Sequence, residues 1–257
     1  MKIAGKVIVV TGGASGLGAA TAHYLVENNA KKVIIVDMNQ ELGDALQQKL
    51  GARSKFVVLD VTNETAVAEF FQQLESEEGQ LHGLVNCAGI GPSAKVLGKN
   101  GIHSLEAFQK VLNINVTGSF NMLRFAADIM SRNVLQSDEE ERGVIINTAS
   151  VAAFDGQIGQ TAYSASKGAI VGMTLPLARE LAQHAIRVMT IAPGIMETPL
   201  LTSMPQHVQD ALGAMVPFPP RLAKPHEFAM MAGHIFENGY LNGEVIRLDG
   251  AIRMQPR

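Results

Sequence analysis

Lys6-Val7-Ile8-Val9-Val10-Thr11-Gly12-Gly13-Ala14-Ser15-Gly16-Leu17-Gly18 is the stretch that decides the fold. Lys6 to Val10 is a continuous branched-apolar run, as expected of a strand buried on both faces, and Ala19 to Glu27 reads as a helix. Strand, glycine-rich turn and helix in that order predict the opening unit of an α/β domain. Glycines at such a turn let the backbone approach a pyrophosphate, and the helix N-terminus offers N–H groups and a favourable dipole. The spacing of Gly12, Gly16 and Gly18 departs from the usual Gly-x-Gly-x-x-Gly fingerprint. A second apolar strand, Val33 to Val36, ends in Asp37, nineteen residues after Gly18. A carboxylate there can accept hydrogen bonds from ribose hydroxyls and would repel a 2′-phosphate. Neither Ser15 nor Met38 offers a cation for such a phosphate, so NAD is favoured over NADP. The plainer account of Asp37 is a turn or helix-cap residue.

Working outward, 257 residues at 47% hydrophobic suffice for one large α/β domain. A net charge of -3 with mixed signs gives no basic face for nucleic acid and no polybasic membrane patch, which favours a small-molecule ligand. The single cysteine, Cys87, excludes an intrachain disulfide and fits a reducing compartment. No run approaches transmembrane length, and the early glycine-rich loop leaves no room for an organelle presequence. The expectation is a soluble, cytoplasmic protein. Seven scattered histidines and no Cys/His cluster predict no metal.

Further along, Phe56 to Leu59 reads as a third strand closed by Asp60-Val61, and Leu84-Val85 begins a fourth that runs into Asn86-Cys87-Ala88-Gly89. Cys87 reads as a buried small hydrophobe beside the ligand crevice in preference to a reactive thiol. Residues 91–104 hold Lys95 and Lys99 and form a long loop outside the regular alternation; the lysines are either solvated or meet an anionic nucleotide. Leu105 to Met130 is a long helical region containing Asn115, and Asp138 to Glu141 is an acidic run expected in a solvated connection. Val144 to Thr148 is a fifth strand, Arg187 to Ile191 a sixth and Val245 to Leu248 a seventh. Pro176 predicts a kink in the helix over 161–182. Residues 195–222, rich in Met, Leu and Phe, suggest a lid with an apolar inner face; a helix pair packed on the core is the alternative.

The chemistry concentrates in Tyr163-Ser164-Ala165-Ser166-Lys167, with Ser150 thirteen residues upstream. On a helix Tyr163 and Lys167 rise from one face, one turn apart. A phenol titrates near ~10, and a fixed ammonium nearby favours its phenolate; bringing that value down to about 7 takes roughly 4 kcal/mol. Such a tyrosinate can take the proton of an alcohol as hydride leaves its carbon, with the Ser150 hydroxyl on the same oxygen.

Taken together, Thr11-Gly12-x-x-x-Gly16-x-Gly18, Asn86-Cys87-Ala88-Gly89, Ser150, Tyr163-x-x-x-Lys167 and Pro193-Gly194 resemble the classical short-chain dehydrogenases and reductases over essentially the whole chain. Ile146 to Phe154, Val216-Pro217-Phe218-Pro219, the tail Gly243 to Met254 and the loop before Ser104 look like the type 2 3-hydroxyacyl-CoA dehydrogenase subgroup, also called 17β-hydroxysteroid dehydrogenase type 10. The resemblance implies one Rossmann domain over 1–257, a doubly wound, seven-stranded parallel sheet, and NAD as cofactor. It implies Tyr163 as general acid/base, Lys167 lowering its pKa and holding the nicotinamide ribose, Ser150 positioning the substrate oxygen, and Asn115 holding a relay water. By the same resemblance Gly12, Ser15, Gly16, Leu17 and Gly18 would meet the pyrophosphate, Asp37 the adenosine ribose, Asp60 and Val61 the adenine, and Cys87 the neighbouring ribose. Met196 would lie over the nicotinamide and Gln157 on the substrate side. The family is typically homotetrameric, and the apolar tail would serve a subunit interface. The implied reaction interconverts a secondary alcohol and a ketone, with (3S)-3-hydroxyacyl-CoA or a hydroxysteroid as substrate. An NAD-binding subunit without turnover is the reading from another class.

Overall fold

The structure is a computed structural model that describes residues 1–99, 101–135, 141–202 and 204–256. Seven strands form one sheet: β1 Val7–Thr11, β2 Lys32–Asp37, β3 Ser54–Val58, β4 Gly83–Asn86, β7 Gly143–Thr148, β8 Ile186–Pro193 and β9 Val245–Leu248. Their order is β3-β2-β1-β4-β7-β8-β9, every neighbouring pair parallel. The order reverses between β1 and β4, so a crevice opens there beyond the carboxyl ends of the strands. β1 and β8 are buried along their whole length, which accounts for runs such as Val7-Ile8-Val9-Val10.

Helices cover both faces. Leu25 of α1 (Gly16–Glu27), Leu46 of α2 (Gln40–Leu50) and Phe228 and Phe236 of α9 (Pro225–Glu237) pack with Ile8, Val10, Ile35 and Ile146. On the other face Phe71 and Leu74 of α3 (Glu64–Glu78), Met122 and Met130 of α5 (Ser119–Ser131) and Ala178 of α6 (Thr161–Ala182) pack with Val9, Ile34 and Ile145. α6 is helical on both sides of Pro176, the position where the sequence predicts a kink. The loop over 91–104 carries a small antiparallel hairpin, β5 Leu97–Gly98 and β6 Gly101–Ile102, before α4 Leu105–Leu112. Between α4 and α5 the helix widens into a π-helical stretch, Asn113–Gly118.

Of the acidic run, residues 138–140 lie outside the described residues, and Glu141 departs from the solvated reading. Its carboxylate pairs with the guanidinium of Arg187, which is 6% exposed and also donates to the carbonyls of Leu241 (2.7 Å) and Phe236 (3.1 Å). This ties the start of β8 to the end of α9. Arg187→Ala leaves Glu141 and the Phe236 carbonyl with the Met1 ammonium as their remaining partner and takes the donor from the Leu241 carbonyl, and should lower stability by about 1–3 kcal/mol, read as a fall in the denaturation midpoint.

Candidate active site

The carboxyl ends of β1, β4, β7 and β8 carry a row of polar side chains in register: Thr11 opposite Asn86, Asn86 opposite Asn147, Asn147 opposite Thr190. All four are at least 98% buried. Asn86 Nδ2 donates to Asn147 Oδ1 at 3.0 Å, and Thr190 Oγ1 lies 2.6 Å from Thr174 Oγ1 on α6. Above this row β7 delivers Ser150, whose Oγ accepts from the Ala152 N–H at 3.1 Å within a short 3-10 turn, Val151–Ala153. α6 delivers Tyr163 and Lys167, and the Tyr163 hydroxyl lies near enough to the Ser150 side chain to feel it. Lys167 is 5% exposed; its Nζ donates to the Thr148 carbonyl at 2.7 Å and stands 5.7 Å from the Tyr163 ring centre.

The electrostatics differ from the sequence expectation. Burial pushes the Tyr163 phenol above its ordinary value, and the neighbouring Ser150 side chain works against that rise. Burial also pushes the Lys167 ammonium down to about 8, opposed by nearby Cys87. The ammonium is therefore spent first on its own desolvation and on Thr148. In the chain by itself Tyr163 is a neutral proton donor at pH 7.

Asn115 sits in the π-helical stretch, 1% exposed. Its Oδ1 accepts from the Ile90 N–H and its Nδ2 donates to the Ile90 carbonyl, both at 2.8 Å, while Nδ2 also donates to Ser166 Oγ at 2.9 Å. Both amide hydrogens are used inside the protein. The side chain braces the segment after β4 against α6, and any relay water would have to donate to Oδ1 or to the backbone carbonyl. Ser166, which the sequence reading passes over, donates in turn to the Tyr163 carbonyl at 2.7 Å.

The crevice at β1 and β2 has the shape a dinucleotide needs. Gly12 has φ +59, and a Cβ there would lie 2.7 Å from Ala88 N; a Cβ on Gly18 would lie 2.2 Å from the Gly12 carbonyl. Ser15 precedes α1 without capping it, and no acidic side chain stands in the first turn, so the positive end of that helix faces outward uncompensated. Leu17 leans on the core below. Asp37 accepts from the Ala14 N–H at 3.1 Å, which sets its carboxylate beside the glycine loop. On the adjoining strand end, Asp60 holds a tight turn by accepting from Thr62, and Val61 is buried against the π-helical stretch at Gly118. The residues present fit a nicotinamide dinucleotide laid from Asp37 across Gly12 to Lys167.

Cys87 lies between the two halves. Thr148 Oγ1 is 3.6 Å from its sulfur, and burial pushes the thiol up to about 11, so it remains a neutral SH. Met196 turns its side chain into the core, 3% exposed, beside Ile191 and Phe228. Gln157 Nε2 donates to the Gln255 carbonyl at 3.0 Å, an engagement with the C-terminal segment that its sequence position does not disclose. Residues 195–223 leave and re-enter the fold side by side, Glu197 N–H donating to the Ala223 carbonyl and Ala223 N–H to Ile195. The segment carries α7 Pro199–Thr202 and α8 Gln206–Ala214, and Thr198 and Pro199 come up against Gly16. Val216 and Leu222 point inward, whereas Phe218 is 79% exposed. No helix among the described residues is long and apolar enough to cross a membrane, and no metal-binding cluster of His, Cys, Asp or Glu occurs among them.

The family model for short chain dehydrogenase matches residues 6–209. The chain is 53% identical over 257 residues to human 3-hydroxyacyl-CoA dehydrogenase type-2, covering 99% of this chain and 97% of that one. It is 50% identical over 256 residues to the Drosophila melanogaster protein of the same name, covering 99% and 100%. The crystal structure of 3-hydroxyacyl-CoA dehydrogenase type-2 from Mycobacterium avium superposes with a TM-score of 0.92 at 38% identity, covering both chains completely.

Proposed function

The chain belongs to the short chain dehydrogenase family and is an oxidoreductase, and from that premise we propose that it interconverts (3S)-3-hydroxyacyl-CoA and 3-ketoacyl-CoA with NAD. The observation that carries the chemistry is the grouping of Ser150 beside Tyr163, one helical turn from buried Lys167. Full-length likeness to proteins named for this reaction supports the substrate class. A nicotinamide nucleotide, when bound, supplies the two-electron exchange with the substrate carbon.

The chain's own residues do the rest. In ketone reduction the Tyr163 Oη–H donates its proton to the substrate oxygen, while the Ser150 hydroxyl holds that oxygen in place. In alcohol oxidation the same Oη must first be a phenolate, so the raised pKa of Tyr163 favours reduction at neutral pH. Lys167 uses one donor on Thr148 and keeps two for ribose hydroxyls. Asp37 supports NAD over NADP by repelling a 2′-phosphate.

Lys95 lies in the loop 91–104 and is exposed, close in the chain to exposed Leu97 and Ile102 of its hairpin, a surface suited to an anionic nucleotide with an apolar edge. The loop 195–222 serves as the substrate lid. Exposed Leu105, Phe120 and Leu175 on α4, α5 and α6 support assembly as a homotetramer. The lone thiol supports a reducing compartment, the cytoplasm.

The test is NADH oxidation with acetoacetyl-CoA, run beside NADPH and beside a 17-ketosteroid. Turnover with NADH and acetoacetyl-CoA, and at least about tenfold less with NADPH, is the expected result. Turnover of the ketosteroid alone would remove the acyl-CoA assignment and leave the catalytic residues standing.

A further inference from the structure

Between Ser150 and α6 runs the segment 151–160, which joins the strand end that carries Ser150 to the helix that carries Tyr163. Its first part is self-sufficient: Val151 and Ala152 are buried and Ser150 is held by Ala152. The stretch 154–160 is different, because it is held from outside on three sides. Arg247 on β9 donates to Asp155 Oδ2 at 2.6 Å and to Asp249 Oδ2 at 2.7 Å, and its guanidinium stands 5.2 Å from the Phe154 ring centre. The C-terminal segment folds back over the loop, the Ile158 N–H donating to the Pro256 carbonyl and Gln157 Nε2 to the Gln255 carbonyl, each at 3.0 Å. From the third side the Ala94 N–H donates to the Gly159 carbonyl at 2.8 Å.

We propose that Arg247 is a positioning residue: it clamps the 154–160 wall to β9 and to the folded-back tail, and so sets how the substrate seats before Tyr163. This gives the tail an intrachain function where the family resemblance implied a subunit interface. The two carboxylates on Arg247 are not equivalent. Asp249 also has Arg253 Nη1 at 3.1 Å and the Ala251 N–H at 3.0 Å, so it stays compensated without Arg247. Asp155 has Arg247 as its ion-pair partner among the described residues. Losing the guanidinium therefore releases the wall and leaves the turn at Asp249 intact. A lysine cannot replace it, since a point charge does not span two carboxylates as a planar fork does. The residues that hold the wall are separate from those of the glycine loop and from Ser150, Tyr163 and Lys167. Its loosening acts on seating, which appears in KM, and leaves the proton transfer, which appears in kcat.

The proposal rests on the ketone-reductase reading above, and the experiment separates the two. Arg247→Ala and Asp155→Asn are compared with wild type by hydrogen exchange and by NADH-dependent reduction of acetoacetyl-CoA. Exchange of amides in 154–160, Ile158 above all, should speed up about tenfold or more while β1 and β4 stay as in wild type. KM for acetoacetyl-CoA should rise about tenfold with kcat changed less than about threefold, NADH affinity should hold, and the double variant should be no worse than Arg247→Ala. Arg247→Lys should recover little. Unchanged exchange in 154–160 overturns the proposal, and so does faster exchange throughout the sheet, which would make Arg247 a general stabiliser. If wild type leaves acetoacetyl-CoA untouched while the local exchange pattern appears, the clamp stands and the substrate reading fails.

Discussion

Tyr163→Phe should lower kcat for acetoacetyl-CoA reduction by about 10³-fold, the order expected when a general acid is removed from a preorganised site. The phenyl ring keeps the packing, and Ser150 keeps its Ala152 partner, so the variant should fold and bind NADH within about threefold of wild type. The pH dependence gives the sharper signature. Burial raises the Tyr163 pKa, so the donor form persists through neutral pH. Ketone reduction by wild type should be level there and decline as alkaline pH deprotonates Oη, whereas alcohol oxidation should climb over the same range. Both limbs should vanish from the residual rate of the variant. A phenylalanine enzyme that kept wild-type turnover, or the same opposed limbs, would show that another group moves the proton.

The residues of that site are legible in the sequence because their spacing is local. Tyr163 and Lys167 are one helical turn apart, so periodicity brings those two together, and the family resemblance adds Ser150 from the end of the preceding strand. The seven-stranded parallel sheet is legible for the same reason, as successive apolar runs punctuated by glycine, Asp or Asn. Strand ends are less so. β8 continues through Pro193, which cannot donate to a ladder, because Gly194 N–H takes the next bond to the Leu248 carbonyl. What the sequence conceals is carried by pairs far apart in the chain. The acidic run gives no sign that Glu141 is drawn under the sheet by Arg187, 46 residues on. Helical periodicity over 105–130 does not disclose the π-helical stretch, where Asn115 is gripped by the peptide of Ile90. Arg247 reads as one charge in an apolar tail until Asp155, 92 residues away, supplies its partner.

Lys167→Met should abolish turnover and yet make the ligand-free protein more stable at pH 7. The ammonium is 5% exposed, and burial holds its pKa at about 8 against an unperturbed 10.5. Below pH 8 the native state keeps the charge at a cost on the order of 3 kcal/mol, which the unfolded chain does not bear. Between about 8 and 10.5 the native state binds fewer protons than the unfolded state, so wild-type stability rises with pH across that window as the cost is lifted. A methionine of similar length removes the cost but leaves the Thr148 carbonyl without its 2.7 Å donor, which returns about 1–2 kcal/mol. The net gain is about 1–2 kcal/mol at pH 7, shrinking and then reversing by pH 10, and chemical denaturation of both proteins at the two pH values measures it. A variant less stable than wild type at pH 7 would mean that the surroundings already compensate the cation. A more stable, inactive variant would identify Lys167 as charge held in the fold for the reaction: a buried ammonium whose desolvation is offset only when cofactor hydroxyls take its remaining donors.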